Sequence, residues 1–239
     1  MTLRGDQKRW TEADAIEQFA HKTANDFFRS ETYFLERIAT EIDSVLDIGC
    51  AAGRMIELFA RYGVKPRFTG IDLSPASIAL ARKNYPDSNF IDGDALDCEF
   101  GEPFALVNAT GVFQHEQRFE ALLDRMLYWS SRYVLFDVKL AAIDSHLIDI
   151  ERSYCGGADR LFYIVLSPRQ LLSKLRSLPG LSRISIYGYE TPTNARTFVP
   201  GDLGPITSAG ILLEKGPASA PELQVALPDS LSAKLAGST

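Results

Sequence analysis

The sequence predicts an α/β protein with a doubly wound, mostly parallel sheet that closes with an antiparallel hairpin. Short apolar runs alternate with helical segments from residue 44 to residue 140, a pattern typical of parallel strands with helices on both faces. A turn of small residues, 49–53, joins the first strand to the helix that follows. Two strand-like runs, residues 183–189 and 209–214, are separated by a polar loop with Pro and Gly and predict the hairpin.

Residues 1–43 precede the first strand and are predicted to form a helical cap outside the sheet. Thr11 to Asp14 can act as a capping box for a first helix, and Ser30 can cap a second. The predicted buried faces comprise Ile16, Phe19 and Ala20 in the first helix, and Phe34, Leu35 and Ile38 in the second. Aromatic side chains that could pack these helices on the domain or wall off a ligand from water are Trp10, Phe19, Phe27, Phe28 and Tyr33.

The segment from Ser44 to Leu73 predicts a nucleoside site. An apolar strand ends in Asp47, the small-residue turn follows, and a helix of about residues 53–62 leads to a second strand that ends in Asp72. Small residues let the backbone approach a ligand, and free N–H groups with the helix N-terminus should attract a negative or electron-rich group. Asp72 stands where a carboxylate can accept hydrogen bonds from both ribose hydroxyls.

Asp47 distinguishes between two kinds of nucleotide site. A dinucleotide fingerprint needs no carboxylate immediately before its first Gly, where it would face a pyrophosphate. A carboxylate at that point better suits a ligand that carries an ammonium group. The chain also lacks a Tyr-x-x-x-Lys pair, so a dinucleotide-dependent oxidoreductase is disfavoured.

This segment resembles motif I of the class I S-adenosylmethionine-dependent methyltransferases, of the small-molecule type. Their Asp-x-Gly-x-Gly-x-Gly is matched by Asp47, Gly49, Ala51 and Gly53, with Ala51 in place of the middle Gly. The resemblance covers about residues 44–215 and implies a seven-stranded sheet, lid helices before it and S-adenosyl-L-methionine as the cofactor. The cofactor-binding residues that it implies are Asp47, Gly49, Cys50, Ala51, Gly53, Asp72, Leu73, Asp94, Ala95 and Asn108.

The other candidate site residues, Asp94, Asn108 and His115, lie at the ends of the third and fourth strands or just after them. The resemblance implies that Asp94 accepts a hydrogen bond from the adenine amino group, and that the strand end at Asn108 passes the methionine part of the cofactor. His115 is a candidate general base, because an imidazole can take a proton from a hydroxyl or phenol. Alternatively, His115 orders the loop or packs on the cofactor. Asn108 is followed by Ala-Thr-Gly rather than Pro-Pro-Tyr, which disfavours an amino-directed base methyltransferase.

The C-terminal half is predicted to complete the methyltransferase domain, residues 44–215. Residues 140–166 depart from the alternation and are interpreted as a substrate-side insertion at the carboxyl edge of the sheet. Acidic residues there and His146 lack the spacing of metal ligands, so no metal is expected. Ser167-Pro168 begins the last helix, and residues 216–239 are predicted to be a flexible tail.

Composition limits the function classes. The 239 residues are 46% hydrophobic without a long apolar run, which predicts a soluble, cytoplasmic protein. Cys50, Cys98 and Cys155 are too few and too far apart to predict a disulfide framework. A net charge of −6 makes nucleic acid an unfavourable partner, and a homodimer is left open.

The predicted function is methyl transfer from S-adenosylmethionine by in-line displacement to a small-molecule acceptor. A hydroxyl of a sugar, phenolic or other metabolite is the first interpretation, because His115 is available as a base. An RNA or protein methyltransferase of the same fold is the alternative. A non-catalytic nucleotide-binding module is disfavoured by the intact Asp47, Gly49, Gly53 and Asp72.

Overall fold

The computed structural model describes Trp10 and residues 27–156, 160–191 and 196–231. Within it the chain divides into two compact units. The first comprises residues 1–110 and 118–135, and the second comprises residues 111–117 and 136–239. The predicted capping box at 11–14 and the helix after it lie outside the described residues.

The first unit is a parallel α/β layer structure. Its helices are α1 (Arg29–Ile38), α2 (Met55–Arg61), α3 (Pro75–Asn84) and α4 (Phe119–Trp129), and its strands are β1 (Ser44–Ile48), β2 (Arg67–Asp72), β3 (Asn89–Asp92), β4 (Phe104–Ala109) and the first part of β5 (Ser130–Leu140). Short 3-10 turns span Ala39–Glu41 and Ala95–Asp97. The strand order is β3-β2-β1-β4-β5, and the pairs β1–β2, β1–β4 and β2–β3 are parallel.

Two central strands of this sheet are buried along their whole length. Every residue of β1 and of β4 is buried, as expected for parallel strands that are covered on both faces. Asp47 on β1 pairs in register with Gly70 on β2 and with Asn108 on β4. Because parallel strands end at one edge, the register brings Asp47 and Asn108 side by side at the carboxyl end of the sheet.

Helix starts follow the predicted capping chemistry at α3 but not at α1. Ser74 caps α3 by accepting a hydrogen bond from the Ser77 N–H at 3.2 Å, with proline at the first helical position. The prediction of Ser30 as the cap of α1 is wrong, because α1 begins at Arg29 and Ser30 is buried in its first turn. The Glu31 carboxylate instead accepts from the Phe28 N–H at 2.7 Å.

Other predicted features of the two terminal helices are confirmed. The side chains of Phe34, Leu35 and Ile38 are buried on one face of α1. Ser167 caps α5 (Pro168–Ser177) by accepting a hydrogen bond from the Gln170 N–H at 3.5 Å. The apolar periodicity and the Ser-Pro pair were therefore sufficient signals for these elements.

The second unit contains the predicted hairpin. Its strands are the second part of β5, β6 (Tyr154–Gly156), β7 (Arg160–Phe162), β8 (Val165–Leu166), β9 (Leu181–Glu190), β10 (Thr197–Phe198), β11 (Thr207–Lys215) and β12 (Glu222–Ala226). It also has α5 and 3-10 turns at Phe113–His115 and Gly201–Leu203. Strands β9 and β11 are antiparallel, and the strand order is β5-β11-β9-β12 with β8 parallel to β5. A separate antiparallel sheet has the order β10-β6-β7.

The predicted fold class is confirmed, with two strands more than the seven expected in the main sheet. Strand β8 is only two residues long, too short for a periodic signal. Strand β12 pairs in parallel with β9 and lies within residues 216–239, where the Ala, Ser, Pro and Gly content predicted a tail. Both strands are defined by their hydrogen-bonded neighbours rather than by their own sequence.

Candidate functional site

The turn after β1 has a backbone that strongly restricts side chains. Gly49, Ala51 and Gly53 have φ values of 72°, 48° and 86°, a region that residues with a Cβ rarely adopt. A Cβ on Gly53 would lie 2.9 Å from the Tyr85 ring and 3.2 Å from Phe90. The dihedral angles therefore favour Gly at positions 49 and 53, and at Gly53 packing also excludes a Cβ.

The turn's N–H groups are less available than predicted. Gly49 and Cys50 donate to the Ile71 carbonyl at 2.8 and 3.1 Å, and Ala51 donates to Asp72 Oδ2 at 2.9 Å. Helix α2 begins only at Met55 and has seven residues. The prediction that free N–H groups and a helix N-terminus attract the ligand is wrong for these three groups, because β2 already uses them.

Asp72 lies at the end of β2, where the sequence predicted it, and it also orders the turn. Its Oδ2 accepts from the Ala51 N–H and its Oδ1 accepts from the Ser74 N–H at 2.8 Å. Burial raises the pKa of the Asp72 carboxyl, and these hydrogen bonds oppose that rise. Each carboxylate oxygen can accept more than one hydrogen bond, so the acceptor capacity for ribose hydroxyls remains.

Asp47 and Asn108 form a buried polar pair. Asn108 Nδ2 donates to Asp47 Oδ1 at 2.7 Å, and the two residues are 1% and 4% exposed, respectively. Burial raises the pKa of Asp47 to about 7, against the lowering effect of the Asn108 hydrogen bond and the Arg54 charge. Asn108 Oδ1 is buried and has no hydrogen-bond partner among the described residues. A buried acceptor without a donor is costly, which indicates a site for a ligand donor.

A network that the sequence analysis missed extends from this pair to helix α1. Asn108 Nδ2 also lies 3.1 Å from Thr110 Oγ1, and the Thr110 hydroxyl donates to Glu31 Oε1 at 2.5 Å. Arg54 donates to both Glu31 oxygens, at 2.7 and 3.0 Å. Glu31 is 0% exposed.

The sequence does contain a signal for Glu31. It precedes Phe34, Leu35 and Ile38 by three, four and seven residues, so a carboxylate occupies the apolar face of an amphipathic helix. Such a carboxylate needs a buried partner, although the sequence does not identify Arg54 and Thr110 as that partner.

The remaining predicted cofactor residues also lie in the first unit. Asp94 is buried, accepts from the Leu96 N–H at 3.0 Å and forms an ion pair with Arg118 at 2.6 Å. Ala95 is buried and Leu73 is half-buried. Cys50 is buried so closely against β2 that a Cβ on Gly70 would lie 2.7 Å from its sulfur.

His115 lies in the second unit, in the 3-10 turn after β4. Its Nδ1 is 2.7 Å from the Phe162 carbonyl oxygen, which can only accept, so Nδ1 carries the hydrogen and Nε2 is the acceptor nitrogen. Burial, with a smaller contribution from the Lys139 charge, lowers the pKa of His115 to about 4. The imidazole is therefore neutral at neutral pH.

A buried charged pair on β5, also missed from the sequence, belongs to the same unit. Lys139 Nζ lies 3.5 Å from Asp137 Oδ2 and donates to Ser208 Oγ at 2.8 Å. Asp137 Oδ1 accepts from the Gly111 N–H. Asp137 and Lys139 alternate with apolar residues in the second half of β5, and only the fold brings them to Gly111 and Ser208.

Neither a metal site nor a membrane-spanning helix is present among residues 27–156, 160–191 and 196–231. No group of three or more His, Cys, Asp or Glu side chains there could hold a metal ion. Across the same ranges, no helix combines the length and apolarity needed to span a membrane.

Comparison with known proteins gives matches that agree with the site. Residues 45–129 match the family model described as a methyltransferase domain. A trans-aconitate 2-methyltransferase of Escherichia coli O1:K1 is 34% identical over 87 residues, which are 36% of this chain and 34% of that protein. The chain thus spans about a third of the length of the curated relatives it matches.

Solved structures share the fold over most of the chain. An O-methyltransferase from a trans-AT polyketide synthase of Brevibacillus brevis, in complex with S-adenosyl-L-homocysteine, has a TM-score of 0.57 and 14% identity, and the match covers 91% of this chain and 93% of that one. An N-methyltransferase of Bradyrhizobium japonicum WM9, also with S-adenosyl-L-homocysteine, has a TM-score of 0.54 and 16% identity, with 84% and 97% covered. The family model confirms the predicted resemblance to a methyltransferase over residues 45–129, and these structures confirm the fold.

Proposed function

We propose that this chain, whose residues 45–129 match a methyltransferase domain, is a class I S-adenosylmethionine-dependent methyltransferase that transfers a methyl group to a small-molecule acceptor. The observation that carries the proposal is the buried pair of Asp47 and Asn108, in which the Asn108 carbonyl oxygen has no donor among the described residues. An ammonium group offers three donors and a positive charge, and it suits a carboxylate beside an amide carbonyl.

The other cofactor residues fit S-adenosylmethionine by their chemistry. Asp72 would hold the ribose hydroxyls, while its bonds to Ala51 and Ser74 keep the carboxylate in place. Asp94 would accept from the adenine amine, with Arg118 and the Leu96 N–H holding its orientation. The turn holds Gly49, Ala51 and Gly53 at positive φ, and a Cβ on Gly53 would meet the Tyr85 ring, so the backbone there is kept free of large side chains.

The chain's contribution to the reaction is mainly positioning. When bound, the cofactor would supply a methyl group on a positively charged sulfur. The acceptor would attack the methyl carbon in line with the carbon–sulfur bond, with the sulfur as the leaving group. Holding acceptor and methyl group in line can remove about 7 to 11 kcal/mol from a barrier. Buried groups such as Asp47 and Asn108 hold one reactant rigidly, since their own hydrogen bonds fix their positions.

For a hydroxyl acceptor, His115 would be the general base. Its Nδ1–H is fixed by the Phe162 carbonyl, so the acceptor nitrogen Nε2 has a defined direction. A base can add roughly a hundred- to ten-thousand-fold in rate. However, a pKa of about 4 makes this imidazole a weak base.

A carboxylate acceptor is a second candidate, favoured by that low pKa. A carboxylate is already deprotonated at neutral pH and needs no base. The matched curated relatives are named trans-aconitate 2-methyltransferases, which agrees with an acid as acceptor. In this case His115 would orient the acceptor or the loop rather than take a proton.

Calorimetric titration with S-adenosylmethionine, S-adenosylhomocysteine and NAD tests the cofactor. Micromolar binding of the two sulfur nucleosides without NAD binding is expected; binding of NAD alone, or of none, would refute the proposal. Labelled methyl transfer to matched panels of hydroxyl compounds and small carboxylic acids then tests the acceptor.

The sequence-based predictions about the segments on either side of the sheet are also part of this proposal. They are a helical cap over residues 1–43, of which residues 1–9 and 11–26 lie outside the described residues, and a substrate wall formed by residues 140–166. The prediction of a flexible tail over residues 216–239 is wrong at Glu222–Ala226, which form β12 in the main sheet. The net charge of −6 supports a small molecule over RNA. A cytoplasmic location, and a homodimer as one assembly, remain predictions.

A further inference from the structure

We infer that Glu31 and Thr110 are positioning residues for the cofactor's ammonium group, which they serve by fixing the direction of the Asn108 side-chain amide. The inference rests on the proposed function, because it concerns the same site. Neither Glu31 nor Thr110 belongs to motif I, and both were absent from the sequence-based set of site residues.

The side-chain amide of Asn108 has two ways to lie, since its NH₂ and its carbonyl oxygen have nearly the same shape. In the structure its NH₂ faces two oxygens, Asp47 Oδ1 at 2.7 Å and Thr110 Oγ1 at 3.1 Å. Its carbonyl oxygen points elsewhere and is buried without a partner among the described residues. The direction of the amide therefore decides whether the site offers the ligand an acceptor or a donor.

Asp47 by itself does not fix that direction. When ionised, its carboxylate can only accept, so it selects the NH₂ of Asn108. Its pKa of about 7 means that near neutral pH a large fraction is protonated and could donate to the Asn108 carbonyl instead. The other titratable groups that affect Asp47 are Arg54, Glu31 and Asp72.

Thr110 supplies the missing constraint through Glu31. The Thr110 hydroxyl has one hydrogen, and it is donated to Glu31 Oε1 at 2.5 Å. Only lone pairs of Thr110 then face Asn108, so the amide must present its NH₂. This holds whether or not Asp47 is protonated.

Glu31 is itself held firmly enough to act in this way. Its oxygens accept hydrogen bonds from the Phe28 N–H at 2.7 Å, from both terminal nitrogens of Arg54, and from Thr110. The Arg54 guanidinium compensates the charge of this fully buried carboxylate. Helix α1 thereby takes part in cofactor recognition through the hydrogen bonds of Glu31.

Thr110→Val tests the inference, because valine keeps the shape of threonine and removes only the hydroxyl. Two probes are titrated by calorimetry: S-adenosylhomocysteine, and 5′-methylthioadenosine, which lacks the amino-acid part. We expect the Kd for S-adenosylhomocysteine to rise about tenfold, the effect of a loss near 1.4 kcal/mol, and that for 5′-methylthioadenosine to change less than about twofold. Thr110→Ser restores the hydroxyl and is expected to return the first Kd to the wild-type value.

A structural role would give a different pattern. Equal weakening of both probes, no weakening of either, or no rescue by Thr110→Ser overturns the inference. Melting followed by circular dichroism shows whether each variant is folded; if Thr110→Val is not, Thr110→Ala replaces it with the same expected ratio between the probes. Failure of the wild-type protein to bind either probe would instead refute the proposed function.

Discussion

Replacement of Asp72 by alanine is expected to lower both the stability and the cofactor affinity of the chain. The Asp72 carboxylate accepts one hydrogen bond from the Ala51 N–H and one from the Ser74 N–H, at 2.9 and 2.8 Å. Ser74 is buried, so its N–H has little access to water once the carboxylate is gone. The same carboxylate is proposed to hold the ribose hydroxyls.

The expected loss of stability in Asp72→Ala follows from those two hydrogen bonds. A buried donor left without an acceptor costs about 1 to 3 kcal/mol. Burial also raises the pKa of Asp72, so removing the carboxylate relieves part of a desolvation cost and offsets some of the loss. We therefore expect a net loss of about 2 kcal/mol, equivalent to a Tm lower by about 4 to 8 °C for a chain of this size.

Thermal unfolding and calorimetry with S-adenosylhomocysteine measure the two effects. Asp92→Ala is the matched control, because Asp92 ends the neighbouring strand in register with Asp72 but is exposed. Its Tm is expected to stay within about 2 °C of the wild type. An Asp72→Ala variant that melts like this control and binds the nucleoside with wild-type affinity would refute the assigned role.

Four further outcomes are expected. Because the pKa of Asp47 is about 7 and an ammonium ligand favours the ionised form, the Kd for S-adenosylhomocysteine should rise as pH falls through 7, and a flat profile would contradict this. The pKa of His115 is about 4 in the folded chain and 6.5 when unfolded, so the free energy of unfolding falls as pH drops from 6.5 to 4. The decrease should reach up to about 3 kcal/mol in the wild type and be absent from His115→Asn, as measured by denaturant unfolding. His115→Asn should also reduce turnover more than cofactor affinity if the acceptor is a hydroxyl, and unchanged turnover would favour a carboxylate. Gly53→Ala, strained at φ 86° and 2.9 Å from Tyr85, should lower the Tm and cofactor affinity together, whereas a wild-type melting curve would show that the turn tolerates a Cβ.

The sequence by itself determined the fold class, and it supplied the prediction of the cofactor residues. Strand and helix periodicity, the Ser-Pro helix starts and the spacing of Asp47, Gly49, Gly53 and Asp72 are local signals, because they depend on residues close in the chain. The same local reasoning identified the buried face of α1 and the final hairpin, both of which the structure confirms.

Only the tertiary structure decided which polar groups meet. Glu31 and Thr110 are 79 residues apart, and Asn108 and Asp47 are 61 apart, so no local pattern connects them. The pKa values of Asp47 and His115 likewise depend on burial, which the folded chain creates. The short β8 and the exposed β12 are defined by their pairing with β5 and β9, which is a property of the assembled sheet rather than of either segment.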